Sequence, residues 1–426
     1  MLIALLFVLL FGLIIIGVPI GIALAGASLV YIMVSGQVPE VVVIHRMING
    51  VDSFPLLAVP FFILAGNLMN TSGITNRIFD FAKAIVGWMR GGLGHVNVGA
   101  SVIFAGMSGA AVADAGGLGA IEIKAMRDHK YDLDFAVGIT AASSTIGPII
   151  PPSLPMVIYG VVAGASIGQL FAAGFVPGLL MAIALMVMVA YFARVRNYPR
   201  DQRFSLFVLW RAFHGAFLSL LTPIIIVGGI LFGIFTPTEA AIAACFYALV
   251  LGLIVYRTLT WQRFLRVSMD TIETTAVVLF IVAGASIFAW ILTSTRTAEQ
   301  FAALVLQVSE NPIVVMLLIN LILLIVGCFL ETVAAITILV PVLLPIAVHV
   351  GVDPVHFGVM MVLNLMIGLL TPPVGMVLFV LSRVAKIPFE RAVTAAAPFL
   401  IPLGVSLLLV TFVPALTMWL PTLIYR

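Results

Sequence analysis

Long apolar segments separated by short polar ones run along the whole chain. The first apolar run, 2–35, is interrupted at Gly17-Val-Pro19, which predicts two short helices rather than one. Residues 38–53 mix apolar and polar positions and predict an amphipathic helix at a membrane interface. Apolar runs of about 18 residues or more recur, which is typical of membrane-spanning helices. The pattern indicates an all-α polytopic membrane protein.

Five further segments complete the first half of this pattern. We expect a span at 54–70, a polar connection at 71–90 and a glycine-rich helical hairpin at 92–125. A long span follows at 168–193. The polar segment 194–203 is the strongest boundary in the chain, and it divides the apolar pattern into two halves.

One apolar stretch, residues 140–160, cannot form a continuous helix. Proline removes a backbone donor and clashes with the preceding turn. In hydrocarbon, the freed carbonyls are tolerated only where protein or a water-lined cavity satisfies them. We therefore expect a broken helix suited to binding a cation, with a structural proline kink as the alternative. The hydroxyl and proline residues of this stretch include Ser143, Ser144, Thr145, Pro148, Pro151, Pro152 and Pro155.

The second half of the chain repeats the first. Two motifs recur in order at offsets of 218 and 221 residues: Phe62–Gly66 as Phe280–Gly284, and Ile146–Pro152 as Ile367–Pro373. Ordered matches at nearly one offset indicate internal duplication. The sequence predicts two repeats, 1–210 and 211–426.

The positions of Lys and Arg predict how the repeats are oriented, because cytoplasmic flanks collect these residues. Residues 71–90 carry three basic residues, whereas their counterpart 293–311 carries one. After the Pro-Pro break the bias reverses, since 164–168 is uncharged and 383–391 carries three. We expect inverted repeats with re-entrant hairpins and broken helices, and both termini outside the cytoplasm.

Composition narrows the class of protein further. The 426 residues are 63% hydrophobic and 9% charged, which excludes an ordinary soluble domain. The net charge of +3 is consistent with basic residues that flank membrane spans. The chain has no dense basic patch of the kind that predicts nucleic-acid binding. Cys245 and Cys328 are far apart, and the six histidines have no metal-ligand spacing, so we expect no disulfide framework and no transition-metal site.

Inverted repeats with broken helices are typical of secondary transporters, which bind their cargo near the membrane midplane. Unwound carbonyls and hydroxyls supply the oxygens that a hard cation such as Na⁺ requires. The alternative is that these small residues only pack helices together. The predicted sodium-binding residues are Ser108, Gly109, Ser144, Thr145 and Gly147 in the first repeat, and Gly327, Glu331, Thr332, Gly368 and Thr371 in the second.

Ionisable residues deep in apolar sequence mark a transport pathway, and Asp114 and Glu331 are such residues. Asp114 holds a substrate hydroxyl, hydrates a cation or takes up a proton; a water-exposed hairpin tip is the alternative. Glu239, near a helix N-terminus, is expected only to cap that helix. The predicted substrate-binding residues are Asp114, Ser108, Ser143 and Asn364.

One motif, Gly106-x-Ser108-Gly109, matches the surroundings of the catalytic serine in rhomboid-type intramembrane proteases. That chemistry also requires a histidine base within hydrogen-bond reach. His95 lies near the other end of the preceding span, and His349 and His356 fall in a predicted outer connection. We therefore expect no enzyme and no catalytic residue.

Three motifs resemble the large membrane subunit of TRAP (tripartite ATP-independent periplasmic) transporters, the DctM-like family. They are Asp52–Gly66, Gly233–Ala240 and the Gly147–Pro152 region. The resemblance covers nearly the whole chain. It implies an elevator-type transporter of the bacterial inner membrane, driven by Na⁺ and without an organic cofactor. By this resemblance Ser108 and Asp114 look like sodium-site and substrate-site positions respectively.

The resemblance also implies partners and substrates. The partners are a small four-helix membrane subunit, expected as a separate chain, and a soluble periplasmic protein that delivers the substrate. The substrates are small organic acids such as C4-dicarboxylates, sialic acid, other sugar acids or zwitterions such as ectoine. The rival hypotheses are a binding-protein-independent antiporter or exporter of organic anions, and a membrane enzyme or scaffold.

Overall fold

The computed structural model is helical throughout the part of the chain that it describes. No strand occurs there beyond one short antiparallel bridge between Arg90 and Arg200. Seven continuous helical segments in this part are long and apolar enough to cross a membrane, and three of them join an α-helix to a neighbouring helix or helical turn. The structure describes residues 2–198, 200, 204–297, 300–301, 309 and 311–425, without the side chains of Met107 and Ser108.

The first half opens with short helices and ends with a 29-residue one. One 3₁₀ turn, Phe54–Leu57, precedes α4. The helices are α1 (Leu2–Ile15), α2 (Ile20–Ser35), α3 (Val41–Val51), α4 (Ala58–Thr71), α5 (Ile74–Val86), α6 (Gly92–Ser108), α7 (Ala111–Gly116), α8 (Leu118–Asp128), α9 (Leu133–Ser144), α10 (Leu154–Ala163) and α11 (Ile167–Val195).

The second half is built from fewer and longer helices at its start, including a continuous one of 34 residues. A π-helical turn, Leu251–Val255, extends α13. The helices are α12 (Leu206–Leu231), α13 (Pro237–Val250), α14 (Trp261–Ser294), α15 (Pro312–Gly327), α16 (Thr332–His349), α17 (Pro354–Gly368), α18 (Met376–Ala385), α19 (Phe389–Ala396), α20 (Leu400–Phe412) and α21 (Ala415–Ile424).

Most of the predicted segments are confirmed. The chain breaks between α1 and α2, where Gly17 adopts a φ of +87° and Pro19 precedes the new helix. The hairpin predicted at 92–125 is present as α6, α7 and α8. The segment 71–90, however, is not a simple connection, because most of it forms α5.

Helix α5 was not predicted because its charged residues make the helical spacing of its apolar residues less evident. Ile74, Ile78 and Ala82 recur at four-residue spacing and are all buried, so one face of the helix is apolar. That face packs against α6 and α12, while Asp80 and Lys83 lie on the more polar side. The charge count that predicted membrane orientation was not a guide to local structure.

The same order of elements occurs in both halves. In the first half α6, a short break, α7 with α8, then α9, a longer break and α10 follow one another. In the second half α15, a break, α16, α17, a break and α18 follow in the same order. The central helices α9 and α17 are buried along almost their whole length. Each carries its break at the C-terminal end.

The two halves pack into one another through close backbone approaches. Helix α9 packs against α19, and a side chain on Gly138 would overlap the backbone carbonyl of Ala395. Helix α10 meets α17, where the hydroxyl of Tyr159 donates to the carbonyl of Pro354 at 2.6 Å. Glycine at position 138 is therefore required by proximity rather than by backbone conformation.

We predict that Gly138→Ala lowers the free energy of unfolding by about 1–3 kcal/mol, the usual effect of overpacking a core. The added methyl meets backbone of α19, which moves only with its helix. Thermal unfolding of the purified protein in detergent measures the change. The control is Gly404→Ala on α20, where no atom lies within 4 Å. Equal melting temperatures for the two variants would contradict the prediction.

Candidate functional site

In each half, the broken hairpin lies against the broken helix that follows it. The carbonyl of Gly109, just after α6, accepts a hydrogen bond from the backbone N–H of Leu154 at 3.4 Å. The carbonyl of Cys328, just after α15, accepts one from the N–H of Val374 at 3.2 Å. These contacts occupy equivalent places in the two halves. The hairpins and Pro-Pro breaks that the sequence paired do come together.

Glycine permits these approaches. A side chain on Gly109, whose φ is +60°, would lie 2.5 Å from the carbonyl oxygen of Pro152. A side chain on Gly368 would lie 2.6 Å from the carbonyl carbon of Gly327. At such distances the backbone of one segment itself forms the surface that the other segment meets. Three of the predicted sodium-site glycines, Gly109, Gly327 and Gly368, are therefore contact residues between a hairpin and a broken helix.

The hydroxyls at the end of α9 point back into their own helix. Ser144 donates to the carbonyl of Ala141 at 2.8 Å, and Thr145 donates to that of Ala142 at 2.6 Å. Because a hydroxyl has one proton and two lone pairs, each oxygen keeps acceptor capacity for a cation. Gly147 follows in the same buried break. The side chain of Ser108, predicted for both sites, lies outside the described residues.

The second half repeats this arrangement with more exposure. Thr371 donates to the carbonyl of Ile367 at 2.9 Å. Residues 145–153 of the first break are all buried, whereas Pro372 and Pro373 of the second break are exposed. The two breaks are thus alike in backbone but differ in their access to the surroundings.

Glu331 and Thr332 begin α16 and differ in how they are satisfied. One carboxylate oxygen of Glu331 accepts from the N–H groups of Val333 at 2.9 Å and Ala334 at 3.3 Å, which caps the helix. The hydroxyl of Thr332 is buried without a partner. Glu239 forms a capping box with Thr236, so its predicted capping role is confirmed. Glu331 combines a cap with a position beside the second break.

A polar brace links the hairpin to the broken helix in the second half. The fully buried amide of Asn364 on α17 donates to Asn320 Oδ1 at 2.7 Å and to its backbone carbonyl at 3.0 Å. Asn320 in turn donates to the hydroxyl of Thr411 at 3.2 Å. The Oδ1 atom of Asn364 has no partner. This predicted substrate residue therefore retains one free acceptor.

The first half has a brace at the equivalent place. Ser143, which lies 221 residues before Asn364, donates to Asn97 Oδ1 at 2.6 Å. The amide nitrogen of Asn97 donates to Thr140 Oγ1 at 2.7 Å and to Glu122 Oε2 at 2.8 Å. Asn97, Asn320 and Glu122 are site residues that the sequence did not predict. The charge of Glu122 looked like part of a polar flank, and an asparagine within an apolar span was the available signal for the other two.

Asp114 lies on α7, only 2% exposed, so the alternative of a water-exposed hairpin tip is wrong. Its carboxyl is next to Ser101, yet neither Asp114 Oδ2 nor Ser101 Oγ has a hydrogen-bond partner. Glu122 is equally buried and close enough to interact electrostatically. Buried polar atoms without partners are costly. A ligand with hydroxyl donors or positive charge would satisfy them.

The two half-sites lie around a common centre. Helix α7, which carries Asp114, packs against α18, which follows the second break. Helix α16, which begins at the second hairpin, packs against α10, which follows the first break. Each hairpin therefore contacts the broken helix of the other half as well as its own. The arrangement combines backbone carbonyls, hydroxyls and buried carboxyls in one region.

Residues 7–416 match the family described as tripartite ATP-independent periplasmic transporter, DctM component. The chain belongs to this family. Over 412 residues it is 52% identical to the sialic acid TRAP transporter large permease protein SiaM of Vibrio cholerae, covering 97% of this chain and 96% of that protein. Over 409 residues it is 45% identical to the sialic acid TRAP transporter permease protein SiaT of Haemophilus influenzae, covering 96% and 66%.

A solved structure shares the fold of this DctM-family chain. The crystal structure of the Alcanivorax borkumensis YdaH transporter, described as having an unusual topology, superposes with a TM-score of 0.62. It covers 87% of this chain and 86% of the other at 13% identity. Family membership and the apolar helices together indicate a multi-pass inner-membrane protein of a transporter family rather than an enzyme family.

For this DctM-family chain we predict that Gly368→Ala lowers transport at least about tenfold, as expected when a residue that positions a site is displaced. The new methyl would meet backbone atoms of Gly327 at 2.6–2.8 Å and force the two breaks apart. Transport in proteoliposomes containing matched amounts of folded protein measures the effect.

The control for this substitution is Gly215→Ala on α12, where a side chain meets no atom within 4 Å. It makes the same chemical change in a membrane helix away from the breaks. Full transport by Gly368→Ala would show that the contact between the breaks is not needed for function.

Proposed function

We propose that this chain is the large membrane subunit of a TRAP transporter that takes up a small organic acid across the bacterial inner membrane, coupled to Na⁺. The contact between hairpin and broken helix, made once in each half, carries this proposal. It leaves carbonyl and hydroxyl oxygens of both segments beside one another, which is the donor set of a hard cation. Family membership supports the same conclusion.

The sodium ions would be held at the two breaks. In the first half the ligands are carbonyls near Ser108, Gly109 and Gly147 together with the hydroxyls of Ser144 and Thr145. In the second half they are carbonyls near Gly327 and Gly368 together with Glu331, Thr332 and Thr371. Hydroxyls that already donate to their own helix offer only lone pairs, which suits a cation.

The substrate would lie between the half-sites, on Asp114, Ser108, Ser143 and Asn364. Asp114 and Asn364 present buried oxygen atoms without partners, so they accept hydrogen bonds from substrate hydroxyl or amide groups. The substrate carboxylate would rely on hydroxyls and helix N-termini. Sialic acid, which carries all these groups, is the first candidate because relatives at 52% and 45% identity are named for it.

The transport cycle would use the duplication. Repeats 1–210 and 211–426 would be inverted across the membrane with both termini periplasmic, and the segment carrying both breaks would move as an elevator. The first break is buried and the prolines of the second break are exposed. This difference supports a cycle in which the two breaks differ in their access to the two sides of the membrane. A periplasmic binding protein would deliver the substrate, and a separate four-helix membrane subunit would complete the complex in the lipid bilayer.

We predict that the complete complex, reconstituted with its binding protein, accumulates radiolabelled sialic acid only under an inward Na⁺ gradient. Filtration of proteoliposomes with imposed Na⁺ or proton gradients measures this. Uptake that follows the proton gradient and ignores Na⁺ would refute sodium coupling. Uptake without the binding protein would favour the antiporter or exporter. Accumulation of a C4-dicarboxylate but not of sialic acid would change the substrate and leave the mechanism intact.

We also predict that Asp114→Ala assembles normally but loses transport by about 10- to 100-fold, the effect of leaving a buried polar group of the substrate without its hydrogen-bond partner. The matched control is Asp134→Ala, which removes an exposed ion pair with Arg391. Such pairs contribute about 0–1 kcal/mol, so that variant should transport within a few-fold of the unmodified protein. Normal transport by the Asp114 variant would remove this residue from the substrate site.

A further inference from the structure

A cavity of about 750 Å³ lies away from the breaks, where the connection between α5 and α6 faces the end of α11. It has three arginines and two aromatic residues in its wall. The lining residues are Trp88, Met89, Arg90, His95, Ala190, Arg194, Asn197, Tyr198 and Arg200.

Within the described part of the chain, the charged side chains that line this cavity are all positive. Among the described residues, no carboxylate lines it or forms an ion pair with Arg90, Arg194 or Arg200. The neighbouring carboxylate, Asp132, is already held by Arg196 at 2.8 Å and by the hydroxyl of Tyr198 at 2.7 Å. Three guanidinium groups around one cavity favour an anion with several acceptor oxygens, such as a phosphate.

Two side chains that can be neutral complete the wall, and one of them, His95, adds to this preference. Burial raises the pKa of Tyr198 to about 12, so the phenol carries no charge that would oppose an anion. His95 is 1% exposed, and neither ring nitrogen has a hydrogen-bond partner. The backbone carbonyl of Arg90 lies beside the ring without the geometry of a hydrogen bond. A buried imidazole without a partner is costly, and an oxyanion in the cavity would satisfy it.

An exposed stripe of mostly apolar residues runs along α11, the helix that contributes Ala190 and Arg194 to the cavity wall. Ile183, Val187, Tyr191 and Val195 recur at four-residue spacing on α11 and are between 59% and 65% exposed. At the rim Trp88 packs edge-on against Phe204 with ring centroids 6.1 Å apart. Exposed aromatic rings of this kind mark the level of lipid headgroups. A soluble anion would make no favourable contact with the apolar stripe, whereas the acyl chains of a lipid would pack on it.

We propose that this cavity binds the phosphate of an anionic phospholipid, whose acyl chains lie along the apolar stripe of α11. The arginines hold the phosphate, and His95, which lines the same cavity, donates a hydrogen bond to the phosphate. Basic pockets between membrane helices bind anionic headgroups in this way. Helix α11, on which the lipid would lie, packs against α9 and α17, the helices that carry the two breaks.

The first test measures which lipids remain with the protein. Full-length protein is purified in mild detergent, and phosphatidylglycerol and phosphatidylethanolamine are quantified by mass spectrometry. Each arginine contributes about fivefold in affinity near an anionic headgroup, so the double substitution Arg90→Gln with Arg194→Gln should reduce retained phosphatidylglycerol by about 25-fold. The control is Arg211→Gln with Arg266→Gln, two exposed arginines outside the cavity. Equal retention by both double variants overturns the proposal.

The second test distinguishes a lipid from a free anion. Dioctanoyl phosphatidylglycerol should raise the melting temperature of the unmodified protein and of the control, but not that of the Arg90 and Arg194 variant. Dioctanoyl phosphatidylcholine and glycerol phosphate should leave all three unchanged. Equal stabilisation by glycerol phosphate would assign the cavity to soluble anions, and equal stabilisation by phosphatidylcholine would show that the arginines do not select the headgroup. Both results contradict the proposal.

Discussion

The structure depends on one constraint, which is that backbone polar groups inside a bilayer must find partners within the protein. Each helix break frees carbonyls and N–H groups where water is scarce. The two halves solve this in the same way, by placing a hairpin beside the break so that Leu154 donates to Gly109 and Val374 donates to Cys328. The proposed cation sites follow from this solution, since the oxygens left over at the breaks are already gathered and oriented.

The polar braces add specificity to that backbone framework. Asn97 with Ser143, and Asn320 with Asn364, join equivalent helices in the two halves. The braces have diverged, because the first continues to a buried carboxyl, Glu122, and the second continues to a hydroxyl. A duplicated backbone can therefore carry two different chemistries. This difference is what a transporter needs if one half binds more of the substrate and the other more of the coupling ion.

The features that the sequence predicted correctly have causes that are local or are set by the solvent. The clustered prolines of the two Pro-Pro stretches interrupt their helices locally, although the single prolines Pro177 and Pro223 lie inside continuous helices. The Thr236–Glu239 capping box needs only four consecutive residues. The family resemblance, carried by short motifs, is confirmed by the match over residues 7–416. The same reasoning was wrong about 71–90, because it counted charges and did not test the four-residue spacing that forms α5.

The sequence by itself determined the membrane class, the positions of the breaks and the recurrence of the same motifs in both halves, because these features are set by the residues of each segment. Only the tertiary structure decided which polar groups meet. Asn364 finds its partner 44 residues away on another helix, and the burial of Asp114 depends on how α7 packs against α18. Such pairings depend on the rotation and depth of each helix. The pattern of residues along the chain does not determine these when a helix has apolar residues on every side.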